Sequence, residues 1–183
     1  ASYARRLSVA EMAKTPVQGR GVLVDFTRHF GRERVIVTRK ILEDVLDKDG
    51  IDIRQGDILM LRTGYAEALT EMQDAPDPEH LQHRVGAVLD GTDAALHEWI
   101  TDSRIAAIAA DNYAVENPHA DPHACCLRLP LHHHCLFKLG LPLAELWYLR
   151  DLAAAGELQT LLQRAVAERL NILISGGTSS GKT

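Results

Sequence analysis

Three short, unbroken apolar runs constrain this chain more than any other feature. Gly21-Val-Leu-Val-Asp-Phe26, Ile58-Leu-Met-Leu61 and Arg104-Ile-Ala-Ala-Ile-Ala-Ala110 are each bounded by turn formers. Runs this short, flanked this way, predict buried strands. Helical patterns separate them. Thr38 is placed to cap a helix reaching about Lys48, with Ile41, Leu42, Val45 and Leu46 on one face and Asp49-Gly50 as its stop. Thr92 is placed to cap a second, in which Ala95, Leu96, Trp99 and Ile100 share a face.

The intervening segments are less informative. Ile51-Asp-Ile-Arg54 alternates like an exposed strand, and Gln55-Gly-Asp57 reads as a turn. Residues 70–90, through Asp74-Ala-Pro-Asp-Pro78, read as a polar surface loop with one helical turn. Ser8-Val-Ala-Glu-Met-Ala13 carries a weak helical pattern that Pro16 and Gly19 end.

With 183 residues the chain is long enough to bury a core without staples. Twenty Lys and Arg against 25 Asp and Glu leave a formal charge of −5, with both signs mixed. That balance argues against nucleic acid as a partner. No apolar run approaches the roughly 18 residues that span a bilayer, and the first residues lack signal-peptide order. A soluble cytoplasmic protein with no membrane partner is therefore expected. Three cysteines, Cys125 and Cys126 being adjacent, make no disulfide framework and suit a reducing compartment.

Five of the nine histidines fall between His119 and His134. One account is a polar loop, Asn117-Pro-His-Ala-Asp-Pro-His123, leading into a helix; another is a metal site. A zinc site from His119, His123, Cys125 and Cys126 has suitable ligand types, but adjacent cysteines seldom serve one tetrahedral ion. The stretch Pro130 to Glu145 is the better candidate. Pro130 suits a first helical turn and Gly140 a left-handed position after a helix end. Steps of about 100° per residue group Leu131, His132, Cys135, Leu136 and Leu139 on one side, with His134 and Lys138 opposite. His132 thus points most nearly inward of three consecutive histidines. With Glu145 on the returning segment it makes an imidazole–carboxylate pair of the kind that holds a divalent cation, which can polarise a carbonyl and activate water. Asp111-Asn112, after the third apolar run, is either a site mouth or a turn.

From Leu149 the pattern is helical again, and after Gly156 an amphipathic helix places Leu158, Leu161, Leu162, Ala165 and Val166 on one face. Asn171-Ile-Leu-Ile-Ser175 then reads as a strand running into Gly176-Gly-Thr-Ser-Ser-Gly-Lys-Thr183. This is a complete G-x-x-x-x-G-K-T phosphate-binding loop in the context that makes the motif specific. The chain ends before the helix whose N-terminal amides complete such a cradle.

Residues 20–154 resemble the cyclase family of metal-dependent hydrolases, which includes kynurenine formamidases and isatin hydrolases. The resemblance rests on Gly19-Arg-Gly-Val-Leu-Val-Asp25, Gln55 to Gly64, Ile108-Ala-Ala-Asp-Asn112 with Val115-Glu116, and Pro130-Leu-His132 through Gly140-Leu-Pro-Leu-Ala-Glu-Leu146. It implies an α/β fold of the swivelling β/β/α type, incomplete at both ends here. It further implies a homo-oligomer and hydrolysis of an amide, lactam or similar C–N bond in a small-molecule substrate. The implied cofactor is a divalent metal, zinc or manganese, with ligands falling on His132 and Glu145 and His133 in reserve. The family's principal metal motif, His-x-Gly-Thr-His-x-Asp, precedes the Gly-Arg-Gly strand and has no counterpart in residues 1–20. Impaired activity is the corresponding expectation, and no catalytic residue is assigned.

Residues 156–183 are similar instead to the entrance of the nucleotide loop in traffic-type secretion ATPases. There Gly176, Gly181, Lys182 and Thr183 would be the phosphate and magnesium contacts, with ATP as ligand. The expected organisation is a partial cyclase-like domain over 1–154 and a helix–strand–loop tail over 155–183, as in a chimeric or truncated frame. A nucleotide-binding fragment and an inactive interaction protein are the alternative functions.

Overall fold

In the computed structural model, the chain is described over residues 16–73, 75–118 and 128–144. The three apolar runs are strands: β1 (Gly21–Asp25), β3 (Ile58–Arg62) and β5 (Ala107–Ala110). They lie side by side and parallel in the order β1-β3-β5, and a two-residue β6 (Leu143–Ala144) adds to β5. Register pairs Val24 with Leu61, and Leu59 with Ile108. Val24, Leu59 and Ile108 have no solvent exposure, and Leu61 is buried beside them. A second sheet of β2 (Val35–Val37) and β4 (Ala87–Leu89) is also parallel. The expected α/β fold is therefore present, with parallel sheets.

Helices supply the rest of the core. A single turn, α1 (Thr27–Phe30), follows β1. The longer α2 (Arg39–Asp49) buries Leu42, Val45 and Leu46. It starts and stops where its caps dictate: Thr38 Oγ1 accepts from the Ile41 amide, and Gly50 is left-handed at φ +62°. Helix α5 (Ala94–Ser103) buries Leu96 and Ile100. Its cap is Asp93, not Thr92. Asp93 Oδ1 accepts from the Ala95 and Leu96 amides, while its Oδ2 takes the Arg39 amide at 2.7 Å. A carboxylate has two oxygens to offer where a hydroxyl has one, so one residue ties together the starts of two helices. Thr92 turns back to Asp90 through its amide and hydroxyl.

Two further expectations are corrected. Ile51–Arg54 forms no strand; the Ile51 amide closes the exit of α2 by donating to Leu46 O at 2.9 Å, and Ile51 and Ile53 pack on the core. The alternation there records one face against packed side chains, without a ladder partner. Nor is the stretch from 70 to 90 a loop with one turn. It holds the end of α3 (Tyr65–Glu71), then α4 (Pro78–Arg84), capped by Asp77 with Pro78 in its first turn, and the fully buried β4. Three apolar residues are too few to stand out from sequence, and only pairing with β2 makes them a strand.

Asp57 closes the turn before β3. Its oxygens accept from Arg20 Nε at 3.0 Å, Arg20 Nη2 at 2.7 Å and the Arg54 amide at 2.7 Å. The hydrogen bonds from Arg20 lower its carboxyl to about 2. A folded-state value below that of the unfolded chain means stability that is present above about pH 4 and is lost as pH falls toward 2. In urea denaturation series, stability is expected to drop across that window, and Asp57→Asn to flatten the drop; an unchanged slope in the variant would contradict the assignment.

A buried carboxylate beside the histidine helix

Strand β5 runs into a loop that the protein pins at several points. Asp111 accepts from the Thr63 amide at 2.6 Å and the Gly64 amide at 3.2 Å, locking the turn after β3. Buried Asn112 donates to Ala87 O at 3.1 Å and accepts from the Val115 amide at 2.7 Å. Both residues thus brace the turn, as the turn alternative expects. Val115 is fully buried with φ +54°, a conformation that a β-branched residue seldom adopts. Such a residue costs on the order of 1–3 kcal/mol and persists only where its surroundings over-determine it. Here Leu89 does so, donating to Val115 O at 3.0 Å and accepting from the Asn117 amide at 2.9 Å.

The constrained turn aims Glu116 inward. Its side chain has no solvent exposure. Oε2 accepts from the Leu131 amide at 3.0 Å, and Oε1 from the His132 amide at 2.8 Å. His132 Nδ1 lies 2.7 Å from the same Oε1. Pro130, having no N–H, opens the helix, so Leu131 and His132 carry its first free amides. A carboxylate there is favoured by the helix dipole as well. Gly91 makes room: a Cβ on it would overlap Glu116 Oε2 and come within 3.2 Å of Pro130 Cγ.

The histidine helix departs from the expected wheel. A short α6 (Pro130–His132) passes directly into a π-helix, His133–Leu139, ended by left-handed Gly140. The wider i→i+5 turn rotates later residues away from their α-helical positions. Leu131 and Cys135 are fully buried as expected, but Leu136 and Leu139 are 50% and 40% exposed. Of the histidines, His132 faces the buried carboxylate, His133 stacks on Phe137 with centroids 5.1 Å apart, and His134 stacks on His97 at 4.5 Å. Burial and the neighbouring His97 lower the His134 pKa. Cys135 is pushed up to about 12 by burial and by Glu116, so its thiol stays protonated and is a poor nucleophile near neutral pH. Tyr65 and Tyr113 pack together, centroids 5.8 Å apart, beside Leu81 and Val85.

Of the residues singled out from sequence, His132 thus sits in a built environment. Glu145 lies outside the described residues, as do His119, His123, Cys125, Cys126 and the loop residues Gly176, Gly181, Lys182 and Thr183. Among the described residues, no group of three or more His, Cys, Asp or Glu side chains could hold a metal ion. Glu116 and Gly91 are not among the site residues expected from sequence; the signal for Glu116 was its place, with Val115, in a segment that carries the cyclase resemblance, and Gly91 had none.

Comparison with known proteins places this architecture. The Cyclase family model matches residues 2–117, well over half of the chain. The chain belongs to the cyclase family. A solved structure described as a novel cyclase is 33% identical, with a TM-score of 0.57, over 80% of this chain and 47% of that one. An isatin hydrolase bound to the product analogue thioisatinate is 10% identical, with a TM-score of 0.47, over 70% of this chain and 45% of that one. No curated protein matches. This cyclase-family chain spans about half the length of the solved relatives it matches.

Two expectations follow for the site. Gly91→Ala should cost roughly 2–3 kcal/mol, the scale of a charge-assisted hydrogen bond, by displacing the Glu116 carboxylate. The same change in a Glu116→Ala background should cost much less, and additive effects in the denaturation cycle would refute the contact. Peptide mapping after iodoacetamide treatment near pH 8 should find Cys135 unmodified in the native chain and modified after unfolding.

Proposed function

We propose that this chain carries part of the centre of a metal-dependent hydrolase that cleaves the C–N bond of an amide, lactam or similar small molecule. The observation that carries the reading is the 2.7 Å contact between His132 Nδ1 and the fully buried Glu116. A ligating histidine characteristically donates its second ring N–H to a carboxylate, which orients the ring and raises its basicity. The surroundings of His132 fit a ligand of that kind through Nε2. One imidazole does not hold a catalytic ion, since such sites use at least three protein ligands. Glu145 is the second ligand in this reading, and the remainder come from residues beyond those described, from another chain or from a longer parent. Activity is then low in this chain by itself.

Zinc or manganese held there would polarise a carbonyl and lower the pKa of a water, so that hydroxide is available as the nucleophile near neutral pH. The chain's own contribution is rigidity. Glu116 is fixed by two backbone amides, and Leu131 and Cys135 anchor the histidine helix in the core. A homo-oligomer in the cytoplasm is part of the same proposal. Among the described residues, no helix is long and apolar enough to cross a membrane.

A second reading is favoured by the complete Gly176-to-Thr183 loop motif after Asn171–Ser175. In it this segment binds ATP through Gly176, Gly181, Lys182 and Thr183. ATP titration of the chain and of Lys182→Ala tests it, and equal binding by both would reject it.

Metal analysis after dialysis tests the first reading. With two of the required ligands on His132 and Glu145, zinc or manganese should be held weakly, at no more than about one ion per chain, with detectable metal in the parent chain that falls to background in His132→Ala and in Glu145→Ala. Retention by His132→Ala, or no metal in the parent chain, would sink it.

A further inference from the structure

The Glu116 carboxylate accepts more than a helix start requires. The Leu131 and His132 amides satisfy the open turn, yet Oε1 also lies 2.7 Å from His132 Nδ1. Both backbone groups can only donate, so both carboxylate oxygens are acceptors. An imidazole nitrogen facing an acceptor already held in this way must itself carry the proton. The carboxylate cannot swing aside, because its two oxygens are tied to consecutive amides of one helix. Its approach is built in from two further directions. Gly91 is the residue whose missing Cβ leaves the space that Oε2 occupies. Val115, held at φ +54°, turns the chain so that the next side chain enters the core. Strained backbone beside a buried charged group is a feature of functional sites more than of simple caps.

We infer that Glu116 is a positioning residue that fixes neutral His132 as the Nδ1–H tautomer and so makes Nε2 its acceptor atom. Gly91 is the position that permits this. The metal-ligating role of Nε2 rests on the function proposed above, but the tautomer does not. In water a neutral histidine favours the opposite tautomer, Nε2–H, so the assignment is a departure that the fold must enforce.

Nitrogen-15 NMR of the side chains reads the tautomer directly. The full chain is treated with a chelator and measured at alkaline pH, because a metal at Nε2 would force the same tautomer by itself. The His132 resonances are assigned by their loss in His132→Gln. The expected result is protonated Nδ1 and unprotonated Nε2 in the parent chain. Glu116→Gln should weaken this preference, and Glu116→Ala should reverse it toward Nε2–H. In parallel, zinc titration against a competing chelator should show affinity falling roughly 10–100-fold in Glu116→Gln, the range for second-sphere partners of a ligating histidine. A residue that only capped the helix would shift the thermal midpoint and amide exchange at Leu131 while leaving the His132 tautomer unchanged. Nε2–H in the parent chain, or a tautomer indifferent to Glu116, overturns the inference. Should Glu116→Ala fail to fold, the parent chain and Glu116→Gln still decide. Nδ1–H without zinc binding upholds the inference and rejects the metal reading; zinc binding with Nε2–H does the reverse.

Discussion

A carboxylate with no access to water is tolerable only if its lone pairs are taken by well-placed donors. Glu116 meets that condition with donors from a single helix start, the amides of Leu131 and His132 and the His132 ring. The requirement propagates outward. Helix α6 must begin at Pro130 so that those amides come first, Gly91 must lack a side chain, and the turn before Glu116 must hold Val115 left-handed. Asn112, Leu89 and Ala87 supply the bonds that keep that turn in place. The small sheet β2–β4 is thereby joined to the histidine helix through one charged group.

The larger sheet acts as the frame. Its parallel strands place Val24, Leu59, Leu61 and Ile108 in one core with the buried faces of α2 and α5. Asp93 couples those helices at their starts, and the Arg20–Asp57 pair ties the entry of β1 to the entry of β3. Side-chain carboxylates thus do much of the joining between elements. Each accepts from at least one backbone amide, so it fixes the path of the chain as well as balancing charge.

Much of the frame was legible in the residues themselves. Continuous apolar runs marked β1, β3 and β5, and Thr38 with Gly50 bounded α2, because these signals depend on near neighbours and on the needs of one element. Pro130, Gly140 and the inward bias of His132 were legible for the same reason. The face of the histidine helix was not. A stepping rule built on α geometry put Leu136 and Leu139 inside, and the π turn carried them to the surface. Strand β4 escaped because three residues carry almost no periodicity, and Ile51–Arg54 misled because alternation marks a buried face, whether or not a partner strand exists.

By itself, then, the sequence determined the kinds of element, several of their ends, and which of three consecutive histidines turns inward, since each of these follows from local spacing and side-chain chemistry. Only the tertiary structure decided which carboxylate this histidine meets. Nothing in the residues around Glu116, Gly91 or Pro130 announces that they share a site, because the contact joins three turns distant in the chain. The cost of burying charge selects that arrangement, and it acts only once the chain has closed around it.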